Sequence, residues 1–291
     1  MSVSSQYLFA LDHAKRAFLP SNHLKMRPEH LLAAIFGLLC VTVRASSPSL
    51  QLDRVQVRGD SCHVQSNHLS TLSPPSQDSW DLNPPVGFEF TTPGTILRIR
   101  KAPGSLSATT ANSSAAYNIL YRTTDSRYEP TWAVATLFIP ALGAPHSGRY
   151  LLSYQIPYDN ADVDGSPSYQ MYTPNWTPTA ISTALGRGWH VLTGDYEGPL
   201  ASFTAGAMSG HAVLDGVQAV LSGGCASTFG LLPSVKYALW GYSGGALASE
   251  YATELQQDYA PELDFVGAAM GGLTPNATSV RDTVEGTVIA A

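Results

Sequence analysis

The sequence has little charge, few cysteines and no histidine after His211. Its 291 residues include 16 Lys or Arg and 22 Asp or Glu, which gives a formal net charge of −6. Because no basic cluster interrupts the body of the chain, a nucleic-acid-binding surface is not expected. Only Cys40, Cys62 and Cys225 are present, and their spacing is not that of a metal site. We therefore expect neither a metal nor another cofactor.

An apolar run covers residues 31–43, and it is shorter than the about 20 apolar residues that a membrane-spanning helix needs. Met26-Arg27 precedes it, and Ala45 follows within a stretch of small residues. A basic start, a short apolar core and a small-residue end predict a secretory signal peptide at about 26–45. The alternative is a buried core helix. We expect a secreted protein without a transmembrane segment, with residues 1–25 as an upstream extension.

Two further features agree with secretion. Asn-X-Ser/Thr sequons begin at Asn112, Asn175 and Asn276, and they predict a glycoprotein. Removal of the signal peptide would also remove Cys40, and the remaining pair, Cys62 and Cys225, could then form one disulfide.

The mature part divides into a polar segment and a folded domain. Residues 46–79 are rich in Ser, Pro and Gln, which predicts a mobile arm. The domain is expected at 80–291. Strands are predicted at 95–100, 116–122, 131–139 and 149–154, with the second and third as an antiparallel pair.

Helices and strands then alternate along the chain. Helices are predicted at 179–185, at 210–222 and directly after Ser243, and strands at 189–193, 237–240 and 265–270. This alternation predicts an α/β domain with a mostly parallel sheet and helices on both faces.

The most informative stretch is Gly241-Tyr242-Ser243-Gly244-Gly245, between a short apolar strand and an alanine-rich helix. A serine in a tight strand-to-helix turn is lifted above the sheet, and the small neighbours avoid clashes there. The pattern predicts that Ser243 is a nucleophile and that the Gly244 N–H stabilises an oxyanion. The alternative is a chance match in a Gly- and Ser-rich loop.

The order of motifs resembles the fungal secretory lipase family of the lipase A type, which has an α/β-hydrolase fold. The resemblance covers about 80–291. It is carried by Pro93-Gly94 and the strand after it, Tyr154-Gln-Ile-Pro-Tyr158-Asp159, Pro167-Ser168-Tyr169, Gly188-Trp189, Asp195-Tyr196-Glu197-Gly198-Pro199, Leu214-Asp215-Gly216 and the serine pentapeptide.

This resemblance implies a secreted triacylglycerol lipase or carboxylesterase that acts on lipid esters at a lipid–water interface through an acyl-enzyme. The nucleophile falls on Ser243, and the oxyanion-hole groups fall on Asp159 and the Gly244 N–H. An aspartate in this role must carry its proton or donate through its backbone, because a carboxylate would repel the developing charge. The alternative for Asp159 is a loop-capping carboxylate.

Other polar residues receive structural interpretations. Asp195 and Glu197 are expected to order a loop or line the cleft, and Asp215 to anchor a neighbouring loop. His190 and His211 are expected to be structural.

The family's order of serine, acid and histidine is incomplete, since no histidine follows Ser243. We assign no catalytic acid or base in this chain. We therefore expect it to be the N-terminal portion of a family member, ending before the lid region and last strands, and to be poorly soluble or inactive as written.

Several alternatives stay open. The chain could be a catalytically dead fragment or a lipid-binding pseudo-hydrolase, and a peptidase or acyltransferase would share the serine turn. A trypsin-like protease is disfavoured because Tyr242 stands where that family places Asp, and because the residues after Ser243 are helical.

Overall fold

The computed structural model describes residues 62, 64–65, 72–174, 176–273 and 276. Eight strands within these residues form one sheet, in the order β1-β2-β3-β4-β6-β5-β7-β8. The strands are β1 Val64–Gln65, β2 Ile96–Lys101, β3 Ser113–Thr124, β4 Pro130–Pro140, β5 Tyr150–Gln155, β6 His190–Gly194, β7 Lys236–Tyr242 and β8 Ala268–Gly271.

The sheet is mixed, and its two halves differ in direction. The neighbours β2–β3, β3–β4 and β4–β6 are antiparallel. The pairs β1–β2, β5–β6, β5–β7 and β7–β8 are parallel. The predicted antiparallel pair is confirmed as β3 and β4, and the predicted parallel part corresponds to β5–β8.

Helices cover both faces of the sheet, as predicted for an α/β domain. The helices are α1 Ser79–Leu82, α2 Leu106–Thr109, α3 Pro167–Gln170, α4 Thr179–Gly186, α5 Gly206–Leu221, α6 Gly223–Thr228 and α7 Gly244–Tyr259. Because side chains alternate along strands, Leu239 joins the core beneath α5 and α7, whereas Trp240 joins the core beneath α4. The two cores are therefore separated by the sheet.

Helix α5 begins about one turn before the predicted start at Gly210. Its first turn, Gly206-Ala-Met-Ser209, contains a single large apolar residue, so the hydrophobic pattern does not reveal it. A Cβ at Gly210 would lie 2.8 Å from the backbone carbonyl carbon of Tyr251. The small residues therefore allow α5 to approach α7 closely.

The strand order brings the end of β5 beside the end of β7. Strand β5 lies between β6 and β7, and Gln155 is in register with Gly241. Segments that leave the carboxyl ends of neighbouring parallel strands meet at one edge, where α/β proteins bind ligands. Asp159, four residues beyond β5, and Ser243, one residue beyond β7, leave the sheet at this edge.

The predicted mobile arm at 46–79 needs a correction. Val64–Gln65 adds a parallel strand to β2, and Cys62 forms a disulfide with Cys225 at a Cα–Cα distance of 4.9 Å. Further along, the Arg100 guanidinium lies 4.0 Å from the centre of the Trp80 ring and 2.7 Å from the Asp78 carboxylate. These contacts hold parts of the polar segment on the sheet. The sequence indicates Cys62 and Cys225 as a possible disulfide, but it predicts neither the strand pairing nor the contacts of Arg100.

Other predictions fall outside the described residues. They include the upstream extension at 1–25, the signal peptide at about 26–45 and the sequon at Asn175. In the described part of the chain, no helix combines the length and apolar character needed to cross a bilayer. Across the same residues, no cluster of three His, Cys, Asp or Glu side chains is placed to hold a metal ion.

The disulfide generates a stability prediction. Cys62 and Cys225 are 163 residues apart, so the bond removes a large closed loop from the unfolded ensemble. Replacing both with serine should lower the free energy of unfolding by about 2–5 kcal/mol, measured by denaturant unfolding. Adding reductant should destabilise the wild type but not the double variant. Equal stability of the oxidised wild type and the variant would contradict the prediction.

Candidate active site

Ser243 occupies a strained turn between β7 and α7. Its backbone has φ 54° and ψ −121°, in the positive-φ region that residues other than glycine rarely adopt. The Ser243 N–H donates to the carbonyl of Gly271 at 2.8 Å, and the Ser243 carbonyl accepts from the N–H of Ala246 at 2.9 Å. This is the geometry of a nucleophile elbow, in which strain holds the serine hydroxyl above the sheet.

Two glycines make the turn possible because the backbone passes close to itself. A Cβ at Gly241 would lie 2.7 Å from the nitrogen of Ala246, and one at Gly245 would lie 2.8 Å from the carbonyl carbon of Gln155. Any side chain at either position would therefore displace the main chain. The spacing of small residues around Ser243 follows from this packing.

Asp159 lies against the first residue of α7. A Cβ on Gly244 would stand 2.7 Å from the Asp159 carboxyl carbon and would overlap one carboxyl oxygen. Asp159 itself has a positive φ of 38°. The structure thus brings together Ser243, Gly244 and Asp159, the three residues that the sequence analysis selected.

The surroundings of Asp159 favour the neutral form of its carboxyl group. The residue is exposed at the loop surface, yet the protein atoms that surround its carboxyl group remove water and raise its pKa. The first N–H groups of a helix have no intrahelical acceptor, so the start of α7 also supplies donors and a partial positive charge. The start of α7 therefore favours negative charge that develops beside Ser243, and a neutral Asp159 carboxyl group does not repel it.

A buried acid, Glu197, lies close to Asp159. Its side chain is 2% exposed, and burial raises its pKa to about 8, with a further contribution from the charge of Asp159. The Glu197 N–H donates to Tyr158 Oη at 2.8 Å. The rings of Tyr158 and Tyr196 pack at 4.8 Å.

Asp195 orders the loop that precedes α4, in agreement with its structural interpretation. It accepts hydrogen bonds from the N–H of Ser168 at 2.8 Å and from Ser168 Oγ at 2.5 Å. Burial nevertheless raises the pKa of Asp195 to about 7.

Asp215 acts as an anchor, as expected. Its Oδ2 accepts from Thr123 Oγ1 at 2.6 Å and from Tyr259 Oη at 2.8 Å. It therefore ties α5 to the end of β3 and the end of α7.

His190 has a structural position far from Ser243. It is buried with Nε2 2.8 Å from the carbonyl of Phe229. In the sheet, His190 pairs with Leu151, and Leu151 pairs with Tyr237. Because Tyr237 lies six residues before Ser243, His190 is about 20 Å from Ser243 along the strand direction.

His211 is equally distant. Its ring stacks on Tyr259, the last residue of α7, about 20 Å from the start of that helix. His146 packs against Tyr150 at the beginning of β5. Among the described residues, therefore, no histidine reaches Ser243, and His63 and His68 lie outside them.

Sequence patterns do not place Glu197 near Asp159. A sequence feature could have indicated this proximity. Two acidic and aromatic segments each follow a strand, Tyr158-Asp159-Asn160 and Asp195-Tyr196-Glu197, and these two strands are parallel neighbours. Strand order, however, cannot be read from local patterns. Without it, the two segments cannot be placed side by side.

Comparison with known proteins agrees with this geometry. Residues 171–291 match the Secretory lipase family. The chain is 53% identical over 223 residues to a trichothecene C-3 esterase of Fusarium sporotrichioides, covering 73% of this chain and 49% of that protein. It is 43% identical over 235 residues to Lipase 10 of Candida albicans, covering 76% and 49% of the two chains.

A solved structure shares the fold. Candida antarctica lipase A in its closed state superposes with a TM-score of 0.65 at 33% identity, over 75% of this chain and 50% of that one. The chain thus spans about half the length of the curated relatives it matches.

The raised pKa of Asp195 generates a prediction for stability against pH. A carboxyl group whose pKa is higher in the folded than in the unfolded state binds extra protons when folded, so stability falls as pH rises from about 4 to about 7. Asp195→Asn can keep both contacts with Ser168 but cannot ionise. It should therefore flatten this decline.

Urea unfolding at pH 4.5, 6 and 8 measures the effect. The matched control is Asp258→Asn, at an exposed position of α7. An unchanged pH dependence in Asp195→Asn, or an equal change in the control, would show that Asp195 is not the responsible group.

Proposed function

Because the chain belongs to the fungal secretory lipase family, we propose that the protein is a carboxylic ester hydrolase with Ser243 as nucleophile. The observation that carries the proposal is the strained elbow at Ser243, with Asp159 and the start of α7 beside it. A hydrolase of this type needs a raised nucleophile next to oxyanion donors.

The reaction follows from these groups. Ser243 Oγ attacks the acyl carbon and loses its proton to a general base, while the carbonyl oxygen gains negative charge. The Gly244 N–H stabilises that oxygen, together with Asp159, which donates through its backbone N–H or through a protonated carboxyl group. The alcohol then leaves with a proton, and water hydrolyses the acyl-enzyme to a carboxylic acid. Since no described histidine lies near Ser243, the base is not assigned.

We propose lipid esters of the triacylglycerol type at a lipid–water interface as substrates. The name of Lipase 10 among the relatives supports this class. Leu200 is 79% exposed and Phe203 is 47% exposed, and both lie in the loop that leaves β6 at the same edge as Ser243. Exposed apolar side chains beside a reactive group suit contact with a lipid surface.

A second candidate substrate class is a trichothecene ester. It rests on the 53% identity to a protein named trichothecene C-3 esterase, compared with 43% for Lipase 10. The chemistry at Ser243 is the same for both classes. Only the residues that hold the alcohol part need differ.

The family's secretory character supports an extracellular protein, and we propose that the signal peptide at about 26–45 directs it there. Asn112 is exposed at the start of β3, so its sequon is accessible for glycosylation. Its Nδ2 donates one hydrogen bond to the carbonyl of Ser182 at 3.0 Å.

Hydrolysis assays on the whole protein test the function. Tributyrin emulsion, a soluble p-nitrophenyl ester and an acetylated trichothecene are compared. Ser243→Ala should lower kcat by about 1,000-fold or more on every substrate that the wild type cleaves. Ser227→Ala, at an exposed serine in α6, is the control and should retain full activity.

Activity that persists in Ser243→Ala would exclude Ser243 as the nucleophile. Lipid binding without hydrolysis by the wild type would instead favour a non-catalytic lipid-binding protein.

A further inference from the structure

Two tyrosine side chains join the loop after β5 to the loop after β6. The Tyr196 hydroxyl donates to the carbonyl of Ile156 at 2.8 Å, and the Tyr158 hydroxyl accepts from the N–H of Glu197 at 2.8 Å. Each loop therefore supplies one tyrosine side chain and one backbone group to the other. The two rings pack against each other with their centres 4.8 Å apart. We call these four residues the tyrosine clasp.

Packing alone does not explain the hydroxyl groups of the clasp. Tyr196 and Ile156 are both buried, and burial raises the pKa of both Tyr158 and Tyr196 well above the usual value for tyrosine. Both hydroxyls thus keep their protons, and Tyr196 remains a donor. Phenylalanine would fill the same space without the cost of removing a hydroxyl from water. The hydroxyls contribute the bonds between the two loops.

The Asp159 segment, residues 156–160, lies beyond the strand that leads to it. The ladder between β5 and β7 ends at Gln155, so strand pairing does not hold the segment. At its far end, Asn160 Oδ1 accepts from the N–H of Asp162 at 2.9 Å, which is a bond within the same loop. The clasp, in contrast, fastens the segment to a different loop of the sheet edge.

Asp159 requires such an attachment because its backbone is strained. Its φ is 38°, and a non-glycine residue keeps such a conformation only when its surroundings impose it. The two clasp residues on its own loop, Ile156 and Tyr158, lie three residues and one residue before it. Its carboxyl group lies against Gly244, where an added Cβ would be 2.7 Å from the carboxyl carbon. If the clasp opened, the segment could relax and move away from Gly244.

We propose that Tyr158 and Tyr196 are positioning residues: by joining the loops after β5 and β6, they hold Asp159 beside Gly244, where the oxyanion forms. This inference rests on the proposed function of Ser243 and Asp159. Because both tyrosines act through Asp159, their loss should lower kcat more than it changes KM.

Two substitutions remove the hydroxyls but keep the rings. Loss of a whole oxyanion-hole donor lowers kcat by about 100- to 1,000-fold, and a displaced donor loses part of that effect. We therefore expect kcat to fall about tenfold in Tyr196→Phe and in Tyr158→Phe, with KM changed less than about threefold. The matched control is Tyr128→Phe, at an exposed tyrosine that packs against His211, and it should keep wild-type kcat.

Amide hydrogen exchange follows the clasp without catalysis. The Glu197 amide should exchange about tenfold faster in Tyr158→Phe, because its acceptor is gone. It should also exchange about tenfold faster in Tyr196→Phe, although the bond removed there is at Ile156 and the Tyr158 hydroxyl remains. The amides of β5 should exchange at the wild-type rate and serve as the internal control. Urea unfolding of each variant gives the folded fraction to which kcat is referred.

The outcomes for the two proposals are distinguishable. A wild-type protein without hydrolytic activity contradicts the proposed function, while the exchange of the Glu197 amide still tests the clasp. Unchanged Glu197 exchange in Tyr196→Phe would overturn the clasp. In an active protein, so would wild-type kcat in both variants, or a loss of activity that the folded fraction or a rise in KM explains completely.

Discussion

The positive φ of Ser243 is the constraint on which the rest of the site depends. It is sustained by two close backbone approaches, between Gly241 and Ala246 and between Gly245 and the end of β5. The second approach matters most, because it links the elbow to the strand that leads to Asp159. A side chain at either glycine would move Ser243, its helix and the proposed oxyanion groups together.

Three acids at this edge of the sheet share one electrostatic property. Desolvation raises the pKa values of Asp159, Asp195 and Glu197, so that each holds its proton more tightly than it would in water. A neutral carboxyl group is a hydrogen-bond donor, whereas a carboxylate repels negative charge. Neutral carboxyl groups therefore do not repel an oxyanion that forms beside Ser243. The same burial makes the fold less stable as pH rises through the range in which these groups ionise.

Local sequence patterns predict the elements well where the pattern is periodic. The antiparallel pair β3 and β4, the helix α4 and the elbow at Ser243 lie close to their predicted positions. Patterns fail where the determining contact is distant in sequence. Val64–Gln65 is too short and polar to be recognised, and only its pairing with β2 and the Cys62–Cys225 bond reveal its role. The contact between Glu197 and the Asp159 segment likewise depends on strand order.

The most direct test of the account is a crystal structure of the whole protein after reaction with a p-nitrophenyl alkylphosphonate, whose tetrahedral adduct mimics the oxyanion. The account predicts a covalent bond from the phosphorus to Ser243 Oγ. It also predicts a phosphonyl oxygen within about 3 Å of both the Gly244 nitrogen and an Asp159 carboxyl oxygen. An adduct on another residue, or a phosphonyl oxygen directed away from Gly244 and Asp159, would contradict it.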